Sequence, residues 1–284
     1  MKRLLATLLV LASAATTGFA EQVAVKLTGG LVSVDGSDYN AGLAGLNALL
    51  RATSTGFSGA YQPLDRGLQA QLEVINLINP HLAVGLGGGY FRVSKEGSVS
   101  VQGLAPTSTS LQSTINARLS VIPFFLNVHY LTRIAGGLSL DVYAGPVFYI
   151  VQFNYTDTRS FSLDSLQDTI TFGASQTAWG GQGGIGLGYK LVGGLSLVAD
   201  ARYRFGTVTD LQGNWADLGT SALGPVNMSS AVSFMWFEQL TQGATYDQFA
   251  FADSAPAGPG LSGVRRAEID LSGLSLSAGF KFAF

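Results

Sequence analysis

The side chains best suited to acid–base or metal chemistry are two histidines, His81 and His129, and the chain has no cysteine. Without cysteine, thiol nucleophiles, thiolate metal sites and disulfides are excluded. Both histidines fall beside predicted short turns on neighbouring strands, where the two rings could approach each other. A metal site needs three or four ligands, and the spacing offers none beyond these rings. We expect structural histidines and no catalytic, metal-binding or cofactor-binding residues.

Two glycine-rich strings, 85–89 and 181–188, superficially resemble phosphate-binding loops. A phosphate-binding loop follows a strand and opens a helix, whereas both strings lie inside predicted strands. We therefore expect no nucleotide site, and we expect the glycines to relieve crowding in a strongly curved sheet.

Composition and the first residues limit the class of protein. Only 12% of the 284 residues are charged, against about 25% in a typical soluble domain, which excludes a disordered chain, a coiled coil and a highly charged nucleic-acid-binding protein. Residues 1–20 have a basic start, an apolar run and a small-residue end, which predict a cleaved signal peptide. In 21–284 no apolar run approaches the roughly 18 residues of a spanning helix.

Alternation with period two runs through the mature chain and predicts strands. From Leu195 to Phe205, apolar residues occupy every second position, and most of the others are polar or charged. Eight such strands are predicted, at 22–34, 65–78, 81–94, 112–130, 137–153, 175–191, 195–208 and 267–284.

The connections between these strands alternate between long and short. The long ones are 35–64, 95–111, 154–174 and 209–266, and the short ones carry the Asn-Pro and Gly-Gly signals of tight turns. This sorting is typical of an outer-membrane barrel with long extracellular loops and short periplasmic turns. We expect an all-β, eight-stranded, antiparallel, transmembrane up-and-down β-barrel that is apolar outside. A soluble lipocalin-like barrel would be apolar inside instead.

Aromatic residues gather near the predicted strand ends. Membrane barrels place such residues in interfacial girdles, and ordinary core filling is the alternative. The aromatic residues form two bands at opposite ends of the strands, as the two interfaces of a bilayer would require, and this arrangement favours the membrane barrel. The bands are Tyr130, Tyr189, Phe282 and Phe284 at the short-turn rim, and Tyr90, Trp179, Tyr203 and Phe205 toward the long-loop rim.

Two segments carry a resemblance to a known family. The end of the chain alternates apolar residues and includes Phe280, Phe282 and Phe284, which resembles the C-terminal assembly signal of bacterial outer-membrane barrels. The segments 117–130 and 138–149 resemble the hairpin common in the outer-membrane β-barrel domain family, which includes OmpA-, OmpX- and OmpW-like small barrels. The resemblance implies insertion by the barrel-assembly machinery and a location in the bacterial outer membrane. It implies no particular substrate.

Pro123 lies inside a predicted strand, although proline cannot donate to a ladder and a closed barrel has no edge strand to hold it. Around Pro123 the apolar phase changes, from odd positions in 115–121 to even positions in 124–130. We expect a β-bulge at Pro123 that lets both halves face lipid.

The inward phase of the predicted strands carries charged residues. An eight-stranded barrel is only just wide enough for side chains, so we expect ion pairs that plug the lumen, with Glu73 and Asp200 paired to basic residues. A basic, anion-selective lumen is the alternative. The expected network consists of Lys26, Glu73, Arg118, Asp200, Arg202, Arg204 and Lys281.

Two of the long connections contain apolar patterns. Leu43, Leu46 and Leu50 recur at helical spacing within 40–52, which predicts a short amphipathic helix. An apolar cluster on a polar connection usually packs against something. We expect it to fold over the barrel mouth or onto the helix, and contact with a partner, lipid or ligand is the alternative. The cluster is Phe234, Met235, Trp236 and Phe237.

Together these features predict a non-enzymatic outer-membrane barrel with a structural or surface-interaction role. The alternative is a narrow pore or transporter for small or apolar solutes, which a continuous water-filled lumen would favour. The expected partners are outer-membrane lipid, lipopolysaccharide and the barrel-assembly machinery, with a surface partner of unknown kind and no nucleic acid.

Deleting Phe284 should lower the amount of protein in the outer membrane, because the resemblance assigns the terminal outward aromatic to recognition during insertion. The measurement is the amount of folded protein in outer-membrane fractions over time. Phe284→Tyr keeps an aromatic terminus and serves as the control. If the truncated chain inserts at the normal rate and level, the assembly signal is wrong.

Overall fold

The computed structural model describes residues 23–104, 109–162, 166–221 and 224–284. The predicted signal peptide lies outside these residues. Every strand pairing is antiparallel, so the predicted all-β antiparallel fold is confirmed. The described ranges contain β1 Val23–Ser33, α1 Ser37–Thr53, β2 Gly56–Ala60, β3 Arg66–Asn79, β4 Leu82–Leu104, β5 Thr109–Ala135, β6 Leu138–Phe161, β7 Gln167–Val192, β8 Leu195–Val208, β9 Gln212–Ser221, β10 Gly224–Gln242, β11 Ala244–Ala252, β12 Leu261–Arg266, β13 Ile269–Asp270 and β14 Gly273–Ala283.

Eight strands pair in a closed ring, in the order β1, β3, β4, β5, β6, β7, β8 and β14, with β14 returning to β1. Short turns join the strands at one end of this ring. Gly136 and Gly137 have φ of 56° and 87°, which a two-residue turn of the primed type requires and which glycine adopts without strain. A closed ring has no edge strand, so the ring's ladders satisfy its backbone donors and acceptors internally.

The faces of this ring are reversed relative to a soluble protein. Its inner face buries charged and amide side chains, while its outer face exposes apolar ones. The buried inner residues include Lys26, Glu73, Asn127, His129, Asp141, Gln182, Asp200, Arg202 and Arg204. The exposed outer residues include Leu27, Leu68, Leu72, Leu86, Leu126, Val128, Ile185, Leu187, Leu197, Leu276 and Phe280, and all eight predicted girdle aromatics.

Beyond the ring, β4 to β7 continue into a second region, which we call the upper sheet. Here β2 pairs with β4, β9 pairs with β7, and β10 links β9 to β11. The upper sheet has an ordinary apolar interior. Its buried core includes Phe91, Val93, Val99, Ile115, Leu119, Val151, Phe153, Phe172, Leu211 and Met235.

Helix α1 packs into the apolar core of the upper sheet. Tyr39, Leu43 and Leu50 are buried on one face of the helix, as the spacing of apolar residues in 40–52 predicted. Gly45 allows a close approach to β11, because a Cβ there would collide with the carbonyl oxygen of Asp247. No helix in the described part of the chain is long and apolar enough to cross a membrane.

The predicted bulge at Pro123 is wrong. Val121, Ile122, Pro123 and Phe124 pair with consecutive residues of β6, without a register shift. On the other side, the β4–β5 ladder is interrupted beside the proline and resumes in the same register. The apolar phase changes because the surroundings change: odd positions of β5 face the apolar core of the upper sheet and then the polar interior of the ring.

The four predicted long connections are largely regular structure. Residues 35–64 hold α1 and β2, while 95–111 and 154–174 consist mostly of extensions of β4 to β7. The last, 209–266, contains β9 to β12. Sequence periodicity missed the extensions of β4 to β7 because their apolar residues lie in the opposite phase to those of the ring segments. The inward residues of the extensions are mostly apolar, and the buried core that they form includes Phe125.

Candidate functional site in the buried charge network

The charged residues inside the ring come mainly from β1, β3, β8 and β14. Alternation places Asp200, Arg202 and Arg204 on the inner face of β8, since successive side chains of a strand point to opposite faces. Lys26 lies opposite Glu73 on β3 and opposite Lys281 on β14. The register of three neighbouring strands therefore gathers charges of both signs at one level.

Lys26 and Asp200 form a buried ion pair. Their Nζ and Oδ1 atoms are 2.8 Å apart, and the two side chains are 3% and 1% exposed. The ammonium also lies 5.0 Å from the centre of the Tyr143 ring. A buried charge that loses its partner costs several kcal/mol, so each member of this pair requires the other.

His129 lies between two carboxylates and is fully buried. Its Nε2 is 3.0 Å from Glu73 Oε1, and its Nδ1 is 2.9 Å from Asp141 Oδ1. Asn127 donates to the same Glu73 oxygen at 2.7 Å, and Gln182 donates to Asn127 at 2.9 Å. A neutral imidazole has one N–H, so donation to both carboxylates requires the imidazolium form. With both acids ionised, the imidazolium supplies the positive charge between them.

The two arginines of β8 have neutral hydrogen-bond acceptors. Arg202 Nε donates to the Tyr143 hydroxyl at 2.9 Å, and another nitrogen donates to Gln71. Arg204 donates to Ser275 Oγ at 2.6 Å and to the carbonyl oxygens of Ser33 and Leu271 at 2.5 and 3.2 Å.

The Arg204 guanidinium also lies 4.4 Å from the centre of the Phe91 ring, a cation–π distance. Arg204 therefore lies where the polar interior of the ring meets the apolar core of the upper sheet.

The structure brings together most of the predicted network. Glu73 and Asp200 are buried, but they pair with His129 and Lys26 rather than with the arginines. Lys281 is half-buried and lines a cavity of about 10 Å³ with Lys26 and Asp200, which is close to the space that one water needs.

Arg118 does not belong to the network. It is exposed on the outer face of β5, because odd rather than even positions of this strand face inward. The placement of Arg118 was wrong for the same reason as the expected bulge.

The expected network left out the donors and acceptors that complete it, namely Asn127, His129, Asp141 and Gln182. The sequence predicted a structural histidine beside a short turn, and the structure buries His129 fully between two acids. His81 differs: it is exposed and its ring stacks on Tyr130 at 6.1 Å. Within the described residues, no group of histidine, aspartate and glutamate could hold a metal ion.

The predicted loop patch is largely buried. Met235, Trp236 and Phe237 are 0%, 9% and 8% exposed, and the Arg266 guanidinium lies 3.2 Å from the centre of the Phe234 ring. The patch therefore packs within the upper sheet, as one of the two expectations proposed. By contrast, the aromatic residues of the proposed assembly signal are exposed on the outer face of β14 or at the chain end.

A second buried polar cluster lies in the upper sheet around Asp157. This carboxylate accepts hydrogen bonds from Ser113 Oγ and from Arg159 Nε, both at 2.6 Å. Burial raises the pKa of the nearby Tyr61 to about 12. The tyrosine therefore stays protonated at neutral pH, and the cluster is a satisfied core contact.

Solved structures that are similar to the chain include two outer membrane proteins. Outer membrane protein OprG from Pseudomonas aeruginosa is 14% identical over 93% of this chain and 96% of that chain, with a TM-score of 0.40. A major outer membrane protein from Thermus thermophilus is 16% identical over 94% of this chain and 100% of that chain, with a TM-score of 0.39. These scores are too low to establish a common fold. No family model and no curated protein matches the chain.

Lys26→Met should destabilise the protein by roughly 3 to 5 kcal/mol, because it leaves Asp200 buried without its counter-charge. The measurement is the free energy of unfolding by chemical denaturant in lipid vesicles. Lys95→Met is the matched control: Lys95 is also 2.7 Å from a carboxylate, that of Asp65, but both are partly exposed, so about 1 kcal/mol or less is expected. Equal costs for the two variants would contradict the network.

Proposed function

We propose that the chain is a non-enzymatic protein of the bacterial outer membrane, which its ring spans as a plugged eight-stranded barrel. The upper sheet stands outside the bilayer on the extracellular side, in a structural or surface-interaction role. This assignment rests on the chain's own geometry.

The proposal rests mainly on one observation: along a single strand, the inner and outer faces exchange their polar and apolar side chains. On β5, the outward Leu126 and Val128 are about half exposed, while the inward Asn127 and His129 are fully buried. Higher on the same strand the inward Ile115 and Leu119 are buried, and the outward Thr114 and Asn116 are polar. Apolar exposure and polar burial in one segment fit lipid outside that segment. The upper segment has the faces of a strand in water.

The height of the apolar band fits a bilayer. Trp179 and Tyr189, both outward on β7, are separated by ten residues. At about 3.3 Å per residue and a strand tilt near 40°, this separation is roughly 25 Å across the membrane, the height of the apolar band of a membrane barrel.

The packing of the ring favours a plug over a pore. Asn127 and His129 have no solvent-accessible surface, and Arg202 and Arg204 have only 3%. An open channel would leave these polar and charged side chains in contact with water. Above them, Phe91 and Phe125 belong to the buried apolar core, which would also obstruct ions.

A narrow pore is the second candidate, and two observations favour it. Arg202 and Arg204 have no carboxylate within salt-bridge distance among the described residues, so their charges are not cancelled by direct pairing. The water-sized cavity beside Lys281 also lies inside the ring. A pore would draw anions to these residues.

Planar-bilayer recordings separate the two candidates. The plug predicts negligible steady conductance from inserted, folded protein, because side chains occupy the ring. Resolved steady openings with an anion preference, weakened in Arg202→Gln/Arg204→Gln, would establish the pore and contradict the plug. Vesicles with bound protein and native β-sheet circular dichroism control for failed insertion.

A further inference from the structure

Three arginines on adjacent strands share the outer face just above the apolar band. They are Arg66 on β3, Arg92 on β4 and Arg118 on β5, and all three are exposed. Arg92 lies opposite Leu68 and Ser120, and Ser94 lies opposite Arg118. Arg66 and Arg118 are therefore each a diagonal neighbour of Arg92, at about 7 to 8 Å between backbones. In the strand register the three arginines flank Ser94. We call Arg66, Arg92 and Arg118 the arginine triangle.

The surface beneath the triangle belongs to the apolar band. Leu68 is 68% exposed, and Tyr90, two residues before Arg92, is 44% exposed. The Tyr90 hydroxyl lies 3.2 Å from Ser120 Oγ, within hydrogen-bond distance, which fixes the ring beside the strand that carries Arg118. Cationic groups therefore stand directly above exposed apolar and aromatic side chains, as a lipid headgroup and its acyl chains would require.

The acidic side chains near the arginine triangle make their shortest contacts with other residues. Asp65 lies 2.7 Å from Lys95, and its contact with Arg66 is long, at 4.0 Å. Burial opposes ionisation of Asp65, but the hydrogen bond and charge of Lys95 hold the pKa of Asp65 below its usual value. Glu96 accepts a hydrogen bond from Asn116 at 3.3 Å.

Arg92 and Arg118 have no salt bridge or hydrogen bond from their side chains to another described residue. Two of the three guanidinium groups are thus free to bind a ligand.

The arginine triangle occupies only one sector of the outer face. Within the described residues, the outer face of the ring below it carries no charged side chain. At a similar height on β6 and β7, the outward residues are neutral: Gln152, Asn154, Ser175 and Thr177. The basic charge is thus confined to one sector of the circumference, directly above the band that faces lipid.

We infer that the arginine triangle binds the phosphate-bearing headgroup of an anionic lipid in the leaflet on the side of the upper sheet. Arginine binds phosphate with paired N–H donors, and Ser94 adds a hydroxyl at the centre. The acyl chains lie along Leu68 and Tyr90. This inference rests on the proposed membrane function, which supplies the lipid.

The test reconstitutes the full chain in phosphatidylcholine vesicles with a spin-labelled lipid A carrying two phosphates, and compares its association with that of spin-labelled phosphatidylcholine. The wild type should prefer lipid A several-fold. Each arginine replaced by glutamine should reduce this preference on the order of fivefold at most, and Arg66→Gln/Arg92→Gln/Arg118→Gln should abolish it. Arg133→Gln, an exposed arginine at the short-turn end of β5, is the matched control and should change nothing.

Two further arms identify the source of the phosphate. Dephosphorylated lipid A should lose the preference, and inorganic phosphate at matched ionic strength should not displace the labelled lipid. Specific displacement by inorganic phosphate would overturn the lipid assignment. An unchanged preference in the triple variant would overturn the site.

The insertion control separates this inference from the proposed function. A wild-type protein that fails to insert into vesicles overturns the membrane proposal and the lipid site with it. A wild-type protein that inserts but shows no preference for lipid A overturns the arginine triangle alone. Circular dichroism and heat-dependent gel mobility establish that each variant has folded.

Discussion

Closure of the eight-stranded ring is the constraint on which the rest of the structure depends. A sheet surrounded by hydrocarbon must satisfy every backbone N–H and C=O internally, and only a closed ring does so without an edge. Eight strands leave an interior barely wider than its side chains, so the inner residues must pack and pair with one another. Lys26 with Asp200, and His129 between Glu73 and Asp141, are the outcome of that constraint.

The character of the inner face changes where the closed ring ends. Above it the strands β4 to β7 continue. Their inner face, which holds polar groups and glycine in the ring, becomes apolar there without a register shift at the change. Helix α1 and the hairpin of β10 and β11 then supply the apolar filling that the upper sheet needs. Arg204, bonded to backbone carbonyls and facing Phe91, joins the two interiors.

The ring strands and their outward residues could be predicted from sequence, because alternation on β8 and β14 is clean and the turns carry glycine pairs. Helix α1 followed from the spacing of Leu43, Leu46 and Leu50. The upper sheet could not be predicted, since the extensions of β4 to β7 have the opposite apolar phase and were interpreted as loops. The segment that forms β9 to β12 was interpreted as a loop as well. Arg118 and Pro123 were misinterpreted for the same reason. Alternation separates the two faces of a strand, but it does not show which face points inward when the surroundings of the strand change along its length. The partners of Glu73 and Asp200 depended on three-dimensional proximity across the ring, which periodicity does not contain.

The most direct test of the account is a depth profile along β5. The chain has no cysteine, so a single spin label can be attached at each outward position from Thr114 to Tyr130, through substitutions such as Leu126→Cys. In lipid vesicles, collision rates with oxygen and with a water-soluble nickel complex report whether each label faces hydrocarbon or water. We expect water exposure at Thr114 and Asn116, a maximum of oxygen over nickel accessibility near Leu126, and a decline toward Tyr130. Uniform access of the nickel complex along all these positions would contradict a membrane-spanning ring.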